Sequence, residues 1–163
     1  MLLIEFKNYL LSHGSDKVGH SGQTLWSHLQ GVHRILVAAK LPNYLCVAGL
    51  FHSVYGTKVF KHTIVDKNCR AEVHQLIGHK AECLVWAFCE LERPKIFETT
   101  LKPGASCQWL AELKIAYEKQ QFFADLLALE CANLAEQKTL YKFPLLAQHA
   151  QVIGILDREG FSV

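Results

Sequence analysis

Two stretches decide how this chain is interpreted: SGQTLWSHL at Ser21–Leu29 and AGLFHSVYGT at Ala48–Thr57. Each sets one histidine, His28 or His52, in an otherwise apolar segment of helical character. The two histidines lie 24 residues apart, which fits two successive helices, and Pro42 supplies a short turn between them. Because imidazole is the commonest metal ligand, the spacing suggests a metal site between two helices.

Helical periodicity extends along the whole chain. Thr24 can cap a helix whose apolar residues recur at steps of four, three and four, namely Leu25, Leu29, Val32 and Leu36. The almost uniformly apolar stretch Tyr44–Tyr55 predicts a central helix that is buried all round. Further helices are predicted over 2–11, from Asn68 to Gly78, and over 81–91, 106–118, 121–137 and 144–160, with irregular segments at 12–23, 58–67 and 94–104.

Length and composition fit one compact domain over residues 1–163. Half of the 163 residues are hydrophobic, so a sizeable core can form. No strand pattern competes with the helical periods, and we expect an all-α domain of about seven to eight helices. The formal charge is +2 and the basic residues are scattered, so neither nucleic acid nor an anionic membrane surface is expected as a partner.

The cysteines and the first residues bear on cellular location. The six cysteines show no CxxC spacing, which is typical of reduced core residues in an intracellular protein. The start of the chain, LLIEF at Leu2–Phe6, lacks the features of a secretory signal, and no run of eighteen apolar residues occurs. The sequence therefore predicts a soluble cytoplasmic protein.

The order of the two histidine stretches resembles the HD-domain superfamily, and within it the alarmone hydrolase domain of RelA/SpoT-type enzymes. In that family a segment like SGepYixHp precedes AALLHDvvEDT, and a helix of FGxeVaxLVxgvTKL character follows. Ser21–His28, Ala48–Thr57 and Leu76–Leu91 match these segments in order. The resemblance implies an HD-like fold in which His28 and His52 ligate a divalent metal ion, here manganese, iron or zinc.

The resemblance also implies a ligand from a later helix. Family members carry an aspartate there in an LADxxHN-like segment. The best match is ANLAEQ at residues 132–137, which puts Asn133 at the ligand position. Glu130 lies three residues earlier on the same helical face and could substitute. The other candidates for additional ligands are His20, His62, Asp66 and His79.

Three exchanges separate this chain from the family pattern. Ser53 replaces the aspartate of the His-Asp doublet, Asn133 replaces the distal aspartate, and Gly56-Thr57 replaces the acidic pair associated with pyrophosphate hydrolysis. Each exchange removes negative charge, so a divalent ion would bind more weakly than in the parent pattern. Hydrolysis of guanosine alarmones is therefore not expected.

The leading expectation is a metal-dependent hydrolase of the phosphohydrolase type that acts on or binds a nucleotide or another small phosphorylated ligand. The ion would lower the pKa of an attacking water, with Ser53 and Glu130 as its catalytic neighbours. Two alternatives stay open. One is a degenerate HD-like domain that binds or senses a ligand without metal, which the lost carboxylates favour and the retained histidines oppose. The other is a metal-dependent oxygenase on the same scaffold.

Overall fold

The computed structural model describes residues 2–112 and 118–155, and this part of the chain is all-α, as the periodicity predicts. Its helices are α1 (Leu2–Ser12), α2 (Leu25–Ala38), α3 (Asn43–Phe51), α4 (Arg70–Ile77), α5 (His79–Glu90), α6 (Lys95–Thr100), α7 (Gln108–Glu112), α8 (Lys119–Glu136) and α9 (Pro144–Val152). Two 3₁₀ helices cover Lys67–Cys69 and Leu140–Lys142, and an antiparallel hairpin pairs β1 (Gly19–His20) with β2 (Gln23–Thr24). Within the described ranges, none of the helices has the length and apolarity needed to cross a membrane.

The helices α2, α3 and α8 form the centre of the fold. α2 begins as predicted, because the Thr24 side chain accepts a hydrogen bond from Ser27 N at 3.1 Å. The predicted face of α2 is buried completely and consists of Leu25, Leu29, Val32 and Leu36. α3 is apolar all round and packs against α2, α5 and α8. The same hydrophobic burial that stabilises the core therefore brings the two histidine-bearing helices together.

A glycine sets the distance between α2 and α3. A Cβ atom at Gly49 would lie 2.5 Å from Leu36 Cδ1 and 3.3 Å from Val32 Cγ1, and the first of these contacts is shorter than carbon atoms tolerate. The missing side chain therefore lets α3 approach α2 closely just before the end of α3, where His52 lies.

Several predicted boundaries were wrong in detail. α3 ends at Phe51, and the chain continues through turns in which Val54 N donates to Phe51 O and Gly56 N to Ser53 O. The segment predicted to be irregular at 94–104 contains α6, and the predicted loop at 12–23 contains the hairpin. The expected capping residue Asn68 is itself held by a cap, because Asp66 Oδ1 accepts from its backbone N at 2.7 Å.

Two predicted helices are described only in part. The helix predicted over 106–118 is described from Gln108 to Glu112, as α7, and residues 113–117 lie outside the described part of the chain. The helix predicted to begin at Pro144 does begin there, but α9 ends at Val152. Its expected continuation toward Gly160 falls mostly beyond residue 155, outside the described residues. All six cysteines are unpaired.

Candidate functional site

His28 and His52 meet in the core. His28 Nε2 lies 3.1 Å from His52 Nε2, and neither residue has any exposed surface. His28 comes from the first turn of α2, and His52 follows the last residue of α3. The two stretches singled out in the sequence therefore do bring their imidazoles together.

The ring of His52 is oriented by the backbone. Its Nδ1 lies 2.7 Å from Gly49 O, and because a carbonyl oxygen only accepts, Nδ1 carries the hydrogen and donates it. Burial lowers the pKa of His52 well below its usual value, and the neighbouring His28 lowers it further. His52 is therefore neutral, and its Nε2 presents a lone pair to His28.

The ring of His28 is oriented by a carboxylate. Its Nδ1 contacts Glu136 Oε2, and Glu136 Oε1 accepts a hydrogen bond from Gln23 Nε2 at 2.7 Å. Burial raises the pKa of Glu136, but hydrogen bonds from His28 and Gln23 outweigh it, so that the pKa lies below its usual value. Glu136 is thus an ionised acceptor, and His28 Nδ1 donates to it.

With both Nδ1 atoms acting as donors, the two Nε2 atoms face each other across 3.1 Å. Facing lone pairs repel unless a proton or a cation lies between them. Nitrogen ligands lie about 2.1 Å from zinc, so two ligands at right-angled to tetrahedral positions are about 3.0 to 3.4 Å apart. Histidines that ligate metals usually donate their other ring N–H to a carboxylate or a carbonyl. The pair can therefore hold either one shared proton or one metal ion.

A second glycine makes room for the carboxylate. A Cβ atom at Gly31 would lie 2.6 Å from Glu136 Cγ and 2.8 Å from Glu136 Oε1. Gly31 is on α2, three residues after His28. Because position 31 has no side chain, Glu136 can pass α2 and reach the His28 ring.

His20 covers the histidine pair on the hairpin side. Its ring stacks on His28 with centroids 4.1 Å apart and 15° between the planes, and Phe60 packs edge-on against it at 4.6 Å. Burial lowers the pKa of His20 to about 4, with a further lowering from His28. His20 is therefore a neutral imidazole at pH 7.

A cavity of about 260 Å³ adjoins this cluster. Its polar lining consists of His20, Ser21, Ser53, Thr57, Arg93, Glu130, Asn133 and Gln137. Its apolar lining consists of Val59, Phe60, Pro94 and Leu134, with Gly19 at the edge. Three residues predicted from the sequence, Ser53, Glu130 and Asn133, thus share one cavity, and Asn133 Oδ1 accepts from Gln137 Nε2 at 3.2 Å.

A buried ion pair lies in the wall of the cavity. Arg93 Nη1 contacts Glu130 Oε2, and both side chains are almost fully buried. Arg93 Nε donates to Phe88 O at 2.7 Å, and the guanidinium carbon lies 3.4 Å from the centre of the Phe88 ring. Burial raises the pKa of Glu130 although Arg93 acts against it. The Asn133 amide also lowers the pKa of Glu130 through a hydrogen bond, and Glu130 Oε1 makes no hydrogen bond of ordinary geometry among the described residues.

The other predicted ligands lie elsewhere, apart from His20 and Glu130. Asp66 caps the first 3₁₀ helix, His79 Nε2 lies 3.6 Å from Cys83 Sγ, and the His62 ring packs 6.2 Å from Phe60. In 2–112 and 118–155, no group of three or more histidine, cysteine, aspartate or glutamate side chains could hold a metal ion. A metal at the histidine pair would need amide, hydroxyl or water oxygens as well.

Three residues of the site were not predicted from the sequence: Gln23, Glu136 and Arg93. The signal that could have identified Glu136 is its position in ANLAEQ, where a carboxylate ends a long apolar helix beside Asn133. Arg93 has a weaker signal, because it directly precedes Pro94 at the end of an apolar run.

A known family model matches part of the chain. The family model described as "Domain of unknown function (DUF6817)" matches residues 9–93, which is just over half of the chain. The matched region includes α2, α3 and Arg93, whereas α8, which carries Glu130 and Glu136, follows it. No curated protein and no solved structure matches the chain.

Proposed function

The chain belongs to the DUF6817 family, and we propose that it is a metal-dependent protein of the phosphohydrolase type that acts on a small phosphorylated ligand such as a nucleotide. The observation that supports this proposal is the pair of Nε2 atoms of His28 and His52, 3.1 Å apart, with both Nδ1 atoms engaged by acceptors. This is the arrangement that histidine ligands of a metal adopt.

The donors present supply two of the ligands that a divalent ion needs and an amide near them. His28 and His52 would hold it through two neutral nitrogens, and Asn133 in the adjoining cavity offers an amide oxygen. Glu136, in contact with His28, supplies a negative charge that offsets part of the charge of the ion. Donors rich in imidazole suit zinc or iron better than magnesium or calcium. When bound, the ion would act as a Lewis acid and lower the pKa of a coordinated water.

The remaining residues of the cavity can bind and orient the ligand. Thr57 Oγ1 accepts from Phe60 N at 2.9 Å, which leaves its hydroxyl hydrogen free to donate to a phosphate oxygen. The Ser53 hydroxyl lines the same cavity beside His52. Glu130 Oε1 is an acceptor that can take a hydrogen bond or a proton from a ligand or a water.

A second candidate is a ligand-binding domain without metal. The observation that favours it is the lack of a third histidine, cysteine or carboxylate ligand beside the pair in the described part of the chain. In that case the two Nε2 atoms share one proton, and the cavity serves recognition only.

Metal analysis separates the two candidates. Protein purified without a histidine tag should contain about one equivalent of zinc, iron or manganese, or bind one equivalent in calorimetry. His28→Ala and His52→Ala should abolish this binding, because each removes one of two nitrogen ligands. The control His74→Ala, on an exposed part of α4, should leave it unchanged. A metal-free protein that gives no binding heat would contradict the first candidate and support the second.

A further inference from the structure

Two residues that line the cavity each carry a buried polar atom that makes no hydrogen bond of ordinary geometry among the described residues. These atoms are Glu130 Oε1 and His20 Nδ1. Glu130 is only 1% exposed, so bulk solvent does not satisfy its free oxygen. Buried polar atoms nearly always have a partner. We therefore expect a hydrogen-bond partner for these two atoms that enters the cavity from outside the chain.

The charges in the lining show what kind of group fits. Among the described residues, the lining has one cationic side chain, Arg93, and one carboxylate, Glu130, and the two pair with each other. The other lining groups are imidazole, hydroxyl, amide and apolar side chains. The part of the lining around this ion pair therefore offers no excess charge, and a neutral polar group fits there better than an ionic one.

The donors and acceptors of the lining narrow the chemical class of the ligand further. A carboxylate oxygen can only accept, whereas the amides of Asn133 and Gln137 can also donate. A hydroxyl group does both, so two adjacent hydroxyls can serve the free acceptor and a neighbouring donor together. Phe60 and Pro94 add apolar surface against which the C–H groups of a sugar ring can pack. A cavity of about 260 Å³ accommodates a ring of pentose size.

We propose that this cavity binds the vicinal diol of a sugar, with one hydroxyl donating to Glu130 Oε1 and the ring held next to His20. The assignment rests on the proposed function for the phosphate that the same ligand carries, whereas the contact with the diol requires no metal. Glu130 and His20 are then the residues that select a hydroxylated ligand over a bare anion.

The test is an NMR titration of the full chain in the presence of a chelator, with three probes: D-ribose 5-phosphate, 2-deoxy-D-ribose 5-phosphate and inorganic phosphate. Ribose 5-phosphate should shift the amide resonances of Ser53, Glu130 and Asn133. The deoxy analogue lacks one hydroxyl of the diol and should bind at least about tenfold more weakly, because a hydrogen bond to a carboxylate is lost. Inorganic phosphate should leave these resonances unchanged.

Two variants locate the contact. Glu130→Gln should reduce the affinity for ribose 5-phosphate about tenfold, but it also leaves Arg93 without its counter-ion. His20→Phe therefore serves as the second variant, because it keeps a ring stacked on His28 and removes the unpartnered nitrogen. It should weaken binding about fivefold or more. His13→Phe, at an exposed position, is the matched control and should bind like the wild type.

Three outcomes would overturn the inference. They are equal affinity for the ribose and deoxyribose probes, no resonance shift up to about 10 mM ribose 5-phosphate, and shifts confined to Lys58, Lys61 and Lys67, which line a separate cavity. Because the titration contains no metal, it is independent of the metal analysis. A chain without metal that still discriminates the two sugars would refute the proposed function and leave the diol site standing.

Discussion

Two glutamates on α8 lie six residues apart and have opposite surroundings. Glu136 uses both oxygens, one with His28 and one with Gln23, and its pKa is lowered. Glu130 pairs through one oxygen with Arg93, its other oxygen makes no hydrogen bond of ordinary geometry in the described part of the chain, and its pKa is raised. A carboxylate with every contact satisfied therefore holds a neighbour in position. A buried carboxylate with a free acceptor is available to a molecule from outside.

Substitution of Glu130 should cause the largest loss of stability. Glu130→Ala leaves the Arg93 guanidinium buried without a counter-charge, and we expect a loss of about 3 to 5 kcal/mol in the free energy of unfolding, measured by urea denaturation. Adding Arg93→Met should recover a large part of that loss, because no charge is then left buried. If the double variant is no more stable than Glu130→Ala, the ion pair is not the source of the effect.

Substitution of Glu136 should cause a smaller loss of stability. Glu136→Ala removes the acceptor for His28 Nδ1 and for Gln23, which should cost about 2 to 3 kcal/mol. The Glu136 side chain is 12% exposed, so water can replace it in part. Glu136→Gln keeps an acceptor and should restore most of the stability. ¹⁵N NMR should show His28 with its hydrogen on Nδ1 in the wild type and not in the alanine variant, and an unchanged tautomer would contradict the role given to Glu136.

A methyl group added to α2 at position 31 tests the contact between Glu136 and His28 by crowding the Glu136 side chain. Gly31→Ala should push Glu136 away from His28 and cost about 1 to 2 kcal/mol, since overpacking outweighs the better helix propensity of alanine. Gly19→Ala is the control, because a Cβ there meets no atom within 4 Å, and it should change stability by less than about 0.5 kcal/mol. Equal thermal unfolding of the two variants would show that Gly31 is not needed for clearance.

The last expected effect is a gradual dependence of stability on pH rather than a loss caused by one substitution. The pKa values of His20, at about 4, and His52 are lowered in the folded chain, so the unfolded chain takes up more protons below its histidine pKa of about 6.5. The free energy of unfolding should therefore fall as the pH drops from about 6.5 toward 5, by at most about 1.4 kcal/mol per pH unit for each histidine. Urea denaturation with a chelator present measures this slope. His20→Phe should reduce it, and an equal slope in that variant would contradict the contribution of His20.

Local patterns were enough to predict much of the centre of the molecule. The Thr24 cap and the buried face of α2 follow from periods within a few residues, and the approach of His28 to His52 follows from two helices and one turn. The uniform apolarity of Tyr44–Tyr55 has no period that marks an end, and for that reason the end of α3 was misplaced. Each strand of the hairpin is two residues long, too short for an alternating pattern to be visible.

The supporting contacts could not be predicted, because they join distant parts of the chain. Glu136 is 108 residues from His28 and 113 from Gln23, and Arg93 is 37 residues from Glu130. The packing of α8 against α2 decides which of their residues meet. The spacing of residues along a single sequence does not reveal that packing. The HD-like architecture and the metal stay predictions.

The hairpin bears on the rate of exchange at the histidine pair as well as on the geometry of the pair. It contributes the His20 ring over His28 and the Gln23 amide that holds Glu136, while the two facing nitrogens have no exposed surface. If an ion binds there as proposed, it would reach those nitrogens only through an opening of this cover, so its rate of entry would level off at the opening rate however concentrated it is. Its departure would wait for the same opening. A weakly bound occupant can therefore persist through dialysis far longer than its affinity alone would allow.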